Sequence, residues 1–214
     1  MKVLGLDLSL RGTGICLLEG EPGAEPTKRT ELVPMNEAKT VEERVLRLVA
    51  ITERIVSLIN GENPDHIIIE AAAKDQKWQA AAIGEIHGVV KVQVYLASGK
   101  FPWVKESNTM RKEVVGEIKR VFVTYEVKGK KKRRVSYGQV PGANGKTRRG
   151  TVKDVIEARL KERGLTFPTQ DEMDAYVAAR FCWGKVAPSP IGGSDDPKET
   201  KVGQSLSGAH QRLC

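Results

Sequence analysis

The run of residues 2–10, KVLGLDLSL, limits the possible folds of this chain more than any other stretch. It is apolar almost throughout, yet it carries one carboxylate, Asp7, at its centre. A strand with one wet face alternates. A continuous apolar run instead predicts a strand buried on both faces, in a sheet covered on each side by helices. An ionised carboxylate there needs a hydrogen bond, a basic partner or a bound cation to offset its desolvation. Otherwise Asp7 is simply the cap of the turn that follows. Gly12 and Gly14 allow a tight reversal, and Ile15 to Leu18 read as the returning strand.

The same pattern recurs downstream. Residues 28–33 can form a third strand antiparallel to the second. Thr40 and Glu43 form a capping box, and apolar residues at helical spacing from Val41 through Ile59 predict a core helix ended by Asn60-Gly61. Residues 64–70 are a second buried strand that also closes on a carboxylate, Glu70. Strand, helix, strand favours a parallel pair joined by a right-handed crossover, which sets Glu70 beside Asp7. Two adjacent carboxylates repel, and a divalent cation relieves the repulsion.

Residues 74–97 read as a long helix with a small-residue face, Ala80, Ala81, Ala82, Gly84 and Gly88, suited either to a second subunit or to the sheet. Trp78 fits the core or an exposed rim equally, and His87 reads as a packing or surface residue. Residues 101–104 suggest a fifth strand, after which Ser107 caps a helix over 108–116 carrying Arg111 and Lys112. Thr151 with Asp154 starts a helix that Gly164 stops. Thr169 with Glu172 starts another, in which Asp171 and Asp174 share one face. Acids suit a helix N-terminus. A pair on one face followed by Ala175, Ala178 and Ala179 further predicts a helix that lies close on the sheet.

In order and spacing, Gly5-Leu6-Asp7-Leu8-Ser9, Ile68-Ile69-Glu70 and Asp171-x-x-Asp174-Ala175 resemble the three motifs of the RuvC family of Holliday junction resolvases. The resemblance covers roughly residues 1–182, apart from a basic insertion. It implies an α/β, RNase H-like fold: a mixed five-stranded sheet flanked by helices. It also implies a homodimer that nicks two strands of a four-way DNA junction by phosphodiester hydrolysis. By motif, Asp7, Glu70, Asp171 and Asp174 become the catalytic residues and the ligands of two Mg²⁺ ions, with Mn²⁺ able to substitute. Glu172 could replace Asp171 if the helix began differently. Arg111 best matches a basic residue that meets phosphate, with Lys105 and Lys112 as rivals. Many family members carry a wedge aromatic after the second motif, where this chain has Ala71-Ala72-Ala73.

The insertion, 119–149, is unlike the ordinary bacterial pattern and suggests a divergent or bacteriophage-encoded relative. Val121 to Val127 alternate like a strand. Lys128 to Arg134, with Lys130, Lys131, Lys132, Arg133 and Arg134, read as a basic turn, and Val135 to Tyr137 as the returning strand, with Lys146, Arg148 and Arg149 beyond. With Tyr125 and Tyr137 flanking the run, this basic β-hairpin is expected to bind DNA. The net charge of +8 and pI near 9.4 likewise favour an acidic polymer. No run approaches the ~18 apolar residues of a membrane span, and no signal peptide opens the chain, so a cytoplasmic protein (the host cytoplasm if phage-encoded) without membrane contact is expected. Cys16, Cys182 and Cys214 are scattered and form no disulfide framework or zinc site. The expected division is a nuclease domain over 1–184 and a flexible tail over 185–214. Two other readings keep part of this pattern: a YqgF-type nuclease acting on RNA keeps the acids, and a non-catalytic branched-DNA binder keeps only the basic surface.

Overall fold

The computed structural model describes residues 1–9, 11–34, 38–72, 80–118, 121–127, 130–137, 139–141 and 147–187. Strands β1 (Lys2–Asp7), β2 (Gly12–Glu19) and β3 (Thr27–Pro34) form an antiparallel meander. Helix α1 (Val41–Glu62) crosses over to β4 (His66–Glu70), which pairs parallel with β1. Helix α2 (Ala80–Ser98) then leads to β5 (Trp103–Lys105), parallel to β4. The sheet order is β3-β2-β1-β4-β5. This is the mixed five-stranded sheet expected from the sequence.

Strand alternation divides the core in two. Leu4, Leu6, Ile15, Leu17, Ile67 and Ile69 pack with Ile51, Ile55 and Ile59 of α1 and Ile86, Val90 and Val94 of α2. Val3, Cys16, Leu18 and Ile68 face the other side. There they meet α3 (Ser107–Val115), α4 (Val152–Glu162) and α5 (Gln170–Val186). Each large aliphatic side chain so buried contributes about 1.5–3 kcal/mol. Because both faces are covered, the central strands carry apolar residues without alternation. The period of two also puts Asp7 on the face of Val3, and Glu70 on the face of Ile68. Both carboxylates therefore end their strands on the α5 side.

Several local readings change. Helix α1 runs past Asn60-Gly61 to Asn63, whose left-handed backbone (φ 45°) closes the last turn with an N–H bond to the Ile59 carbonyl at 2.8 Å. The strand expected over 101–104 starts at Trp103, and Phe101 is exposed. Ser107 is the first residue of α3 rather than its cap, which is Glu106. Helix α5 continues to Val186, two residues beyond the expected domain edge, and most of the expected tail lies outside the described residues, as do Trp78 and Lys146.

The largest change is in the insertion. The basic run is not a turn. It is most of a strand, β7 (Lys130–Ser136), paired antiparallel with β6 (Val121–Val127) from Val121↔Ser136 to Val127↔Lys130. Seven matched pairs satisfy the backbone groups that a long loop would leave to water. A small ladder follows, β8 (Gln139–Pro141) with β9 (Thr147–Arg149). Among the described residues no helix is long and apolar enough to cross a membrane.

Candidate active site

The helix bearing two of the acids can reach the sheet because two glycines let it. A methyl group at Gly5 would collide with the Ala175 carbonyl and lie 2.7 Å from Ala179 N and 2.8 Å from Ala179 Cβ. At Gly14 it would land on the Asp171 carbonyl, 3.0 Å from Glu172 N. Gly5 sits in β1 and Gly14 in β2, paired across from Asp7. Thr169 caps α5: its hydroxyl accepts the Glu172 N–H at 3.2 Å and donates to the Glu172 carboxylate at 2.8 Å. Glu172 is thus buried and committed to the cap, which leaves Asp171 and Asp174 as the pair of the shared face. The turn after β1 is stabilised by Ser9, whose hydroxyl accepts the Arg11 and Gly12 N–H groups and donates to the Gly12 carbonyl. Asp7 is not needed there.

Asp7, Glu70 and Asp174 act on one another. Burial pushes the Asp7 carboxyl well above the usual range, Glu70, Asp174 and Asp171 add to the rise, and Lys153 opposes it. Glu70 is also raised, by burial and then by Asp174, against the pull of Arg111, Ser107 and Lys153. The half-buried Asp171 is raised by burial and by Asp174 and Glu172, with Lys153 opposing. Two cations enter this group. Arg111 Nη2 donates to Asp174 Oδ1 at 3.0 Å and stands 3.6 Å from Glu70 Oε1, while Lys153 Nζ lies 2.6 Å from Asp174 Oδ2. Burial tends to lower the Lys153 pKa, but Asp174, Asp7 and Asp171 together raise it.

Sequence reasoning missed Lys153. One signal was available: the Thr151–Asp154 capping box places Lys153 in the first turn of α4, where a cation opposes the helix dipole. Such a residue needs a negative partner, and here Asp174 supplies it. Arg111, read from the sequence as a phosphate contact, lies beside Glu70 and Asp174. Lys105 and Lys112 are exposed. The side chains of Lys130, Lys131, Lys132, Arg133, Arg134, Arg148 and Arg149 lie outside the described part of the structure.

The donor set suits a hard divalent cation, since every acid offers oxygen. Glu70 Oε2 is buried without a hydrogen-bond partner, and four acids against two bases leave the group negative. As positioned, no three His, Cys, Asp or Glu side chains among the described residues are grouped closely enough to hold one ion, and Arg111 and Lys153 each pair with one of the two Asp174 oxygens. The chemistry fits a cation whose entry displaces at least one of these ion pairs.

No family model matches the chain, and no curated protein matches it by sequence. Its architecture is matched by solved structures. The Thermus thermophilus RuvC structure aligns with a TM-score of 0.58 at 17% identity, over 89% of this chain and 100% of that one. T. thermophilus RuvC in complex with a Holliday junction substrate aligns with a TM-score of 0.58 at 16% identity, over 85% of this chain and 92% of the other. This chain has the RuvC fold. In this RuvC-like, RNase H-like frame, Asp7 and Glu70 end adjacent parallel strands, and Asp171 and Asp174 lie in the first two turns of the helix packed across them.

Proposed function

We propose that the chain is a metal-dependent, structure-selective endonuclease that resolves four-way DNA junctions as a homodimer. The observation that carries this reading is Arg111, which bridges Asp174 and Glu70, with Lys153 on Asp174 and with Asp7 and Asp171 near enough to be influenced electrostatically by the same acids and base. It is supported by the likeness to T. thermophilus RuvC, one of whose structures holds a Holliday junction substrate.

The four carboxylates would hold two Mg²⁺ ions, which when bound activate water and stabilise the leaving 3′ oxygen. The protein's part is positioning and charge. Glu70 and Asp7 are fixed by strand pairing, so their separation cannot drift. Arg111 and Lys153 compensate Asp174 and would lie near a phosphate held at the acids. With a metal held by the carboxylates, Asp174 would serve as a ligand, and Arg111 and Lys153 would be free to donate to the non-bridging phosphate oxygens. In the hydrolysis a water oxygen would bond to phosphorus as the bond from phosphorus to O3′ breaks, with one water proton going to solvent and O3′ taking one up from solvent, to give a 5′-phosphate and a 3′-hydroxyl.

A junction has two equivalent scissile strands, so a two-fold dimer suits it. Helix α2 offers the surface. Gly84 and Gly88 have open space beyond their Cα atoms, and Val89, Val92, Tyr95 and Leu96 continue an exposed apolar stripe. The small-residue face is thus free to meet a second copy.

The test is incubation with synthetic four-way junction, duplex, single strand and RNA hairpin, with Mg²⁺ or EDTA. Paired nicks in the junction, dependent on metal and lost in Asp7→Asn and Glu70→Gln while junction binding persists, are expected. Preferred cutting of RNA would favour the RNA nuclease reading. Junction binding without cutting under any divalent ion would favour the non-catalytic binder.

A further inference from the structure

Arg111 has a second neighbourhood. Besides bridging Glu70 and Asp174, it lines a cleft of about 580 Å³. This volume lies inside the ~300–1,000 Å³ range of sites that take small molecules or their equivalents. Asn108 and Lys112 of α3 line it with Arg111, as do Glu117 just beyond α3 and Ile118, Tyr137 and Val152. Two cations and an amide in one cleft with an aromatic ring and two aliphatic side chains match the two chemistries of a nucleotide, an anionic phosphate and a flat base with an apolar face.

The insertion contributes Tyr137 to this cleft, and its two flanks contribute Ile118 and Val152. Ile118 is the last described residue before the hairpin, and Tyr137 is the first after β7. The Tyr137 N–H bonds to the Gly150 carbonyl at 3.4 Å, which ties the half-buried Tyr137 to the residue preceding the cap of α4. Val152 follows that cap, and the next residue, Lys153, is bound to Asp174. The cleft therefore joins the acid group at two points, through Arg111 itself and through the residue beside Lys153. A strand whose scissile phosphate lay at the acids would bring its neighbouring nucleotide here.

We propose that this cleft receives the nucleotide adjoining the scissile phosphate, with its base stacked on Tyr137 and its phosphate met by Lys112, and that it sets a sequence preference at that position. Stacking alone tolerates every base. The discriminating groups are the Asn108 amide, able to donate and accept at a base edge, and the Glu117 carboxylate, able to accept from an exocyclic amine. This inference rests on the endonuclease reading for the place of the scissile phosphate, but its test can separate the two.

Four-way junctions carrying 5-bromodeoxyuridine at single positions through the crossover are irradiated with the full-length protein in EDTA, and the crosslinked peptides are mapped. A crosslink at Tyr137 from one position is expected, and none from distant arms. In parallel, wild type, Tyr137→Phe and Tyr137→Ala cut a junction library randomised around the crossover in Mg²⁺. Tyr137→Ala should lose about 5- to 100-fold in kcat/KM through KM and should flatten the preference at one position. Tyr137→Phe, which keeps the ring, should retain both. Crosslinks confined to other regions, or a Tyr137→Ala enzyme with unchanged sites and kcat/KM, would overturn the proposal. A Tyr137 crosslink in a protein that cuts nothing would uphold the cleft as a nucleotide site and remove the endonuclease reading instead.

Discussion

Replacing Gly5 with alanine adds one methyl group where β1 meets α5, and the structure sets the size of the effect. That methyl would lie 2.7 Å from Ala179 N and 2.8 Å from Ala179 Cβ, where ordinary contact begins at 3.4 Å. Both obstacles belong to a buried helix that cannot swing aside as a flexible side chain could. The Ala175 carbonyl lies closer still, so the helix must retreat by up to about 1 Å, and a gap of about 0.5–1 Å forfeits a quarter to a half of each dispersion contact along it. Met173, Tyr176, Phe181 and Trp183 all lie on α5 in the same core. Overpacking of this kind costs typically 1–3 kcal/mol, and the opened contacts bring the total to about 2–4 kcal/mol. The stiffer unfolded chain returns about 0.4–1 kcal/mol. For a chain of this length a net loss near 2–3 kcal/mol lowers Tm by about 5–10 °C. Gly61→Ala is the control: Gly61 lies in α1 with open space around it, so alanine should hold or raise Tm through its helix propensity, worth up to about 1 kcal/mol. Thermal melts followed by circular dichroism decide the matter. A Gly5→Ala protein that melts within a degree of wild type would refute the claim that Gly5 is what lets α5 lie on the sheet.

Four further outcomes are expected. His87 is buried, and its pKa is lowered to about 4 by burial and then Lys91; relative to His87→Gln, wild type should therefore keep its full stability above pH ~6.5 and lose up to about 3 kcal/mol as the pH falls toward 4, read from urea melts at each pH. Asp7 has the opposite sign: its raised carboxyl penalises the ionised fold near neutral pH, so metal-free Asp7→Asn should melt higher than wild type at pH 7–8, by a margin that shrinks as acid protonates the native carboxyl; a constant margin would count against that cause. The β6–β7 register pairs Val127, Tyr125 and Val123 with Lys130, Lys132 and Arg134, and Glu126 and Thr124 with Lys131 and Arg133; if the first set tracks DNA, changing its three cations to Ser should flatten the log affinity against log salt slope by up to about 2.7, and changing the other two should matter less, while equal, small effects would mark a merely solvated hairpin. Leu96→Glu, on the exposed stripe of α2, should shift the protein from dimer to monomer in light scattering and reduce paired nicking; a wild type that is monomeric at micromolar concentration and fully active would remove the dimer.

Much of this protein was determined by local pattern. Unbroken apolar runs around Asp7 and before Glu70 specified strands covered on both faces, and the helix between them specified parallel pairing, because few chain paths satisfy both conditions. Periodicity likewise located α1, and Thr40, Thr151 and Thr169 marked helix starts through hydrogen bonds made within four residues. Tertiary structure decided what depends on distant partners. Whether Asp171 or Glu172 joined the acids turned on which side of α5 met the sheet. The basic run became a strand because β6 was there to pair with it. Asp174 is joined by Arg111, 63 residues away in sequence, and by Lys153, and no spacing rule announces such pairs. A carboxylate placed in a low-dielectric site must be matched by whatever cation the finished fold brings within reach, and only the packing of α3, α4 and α5 on the sheet determines which cations those are.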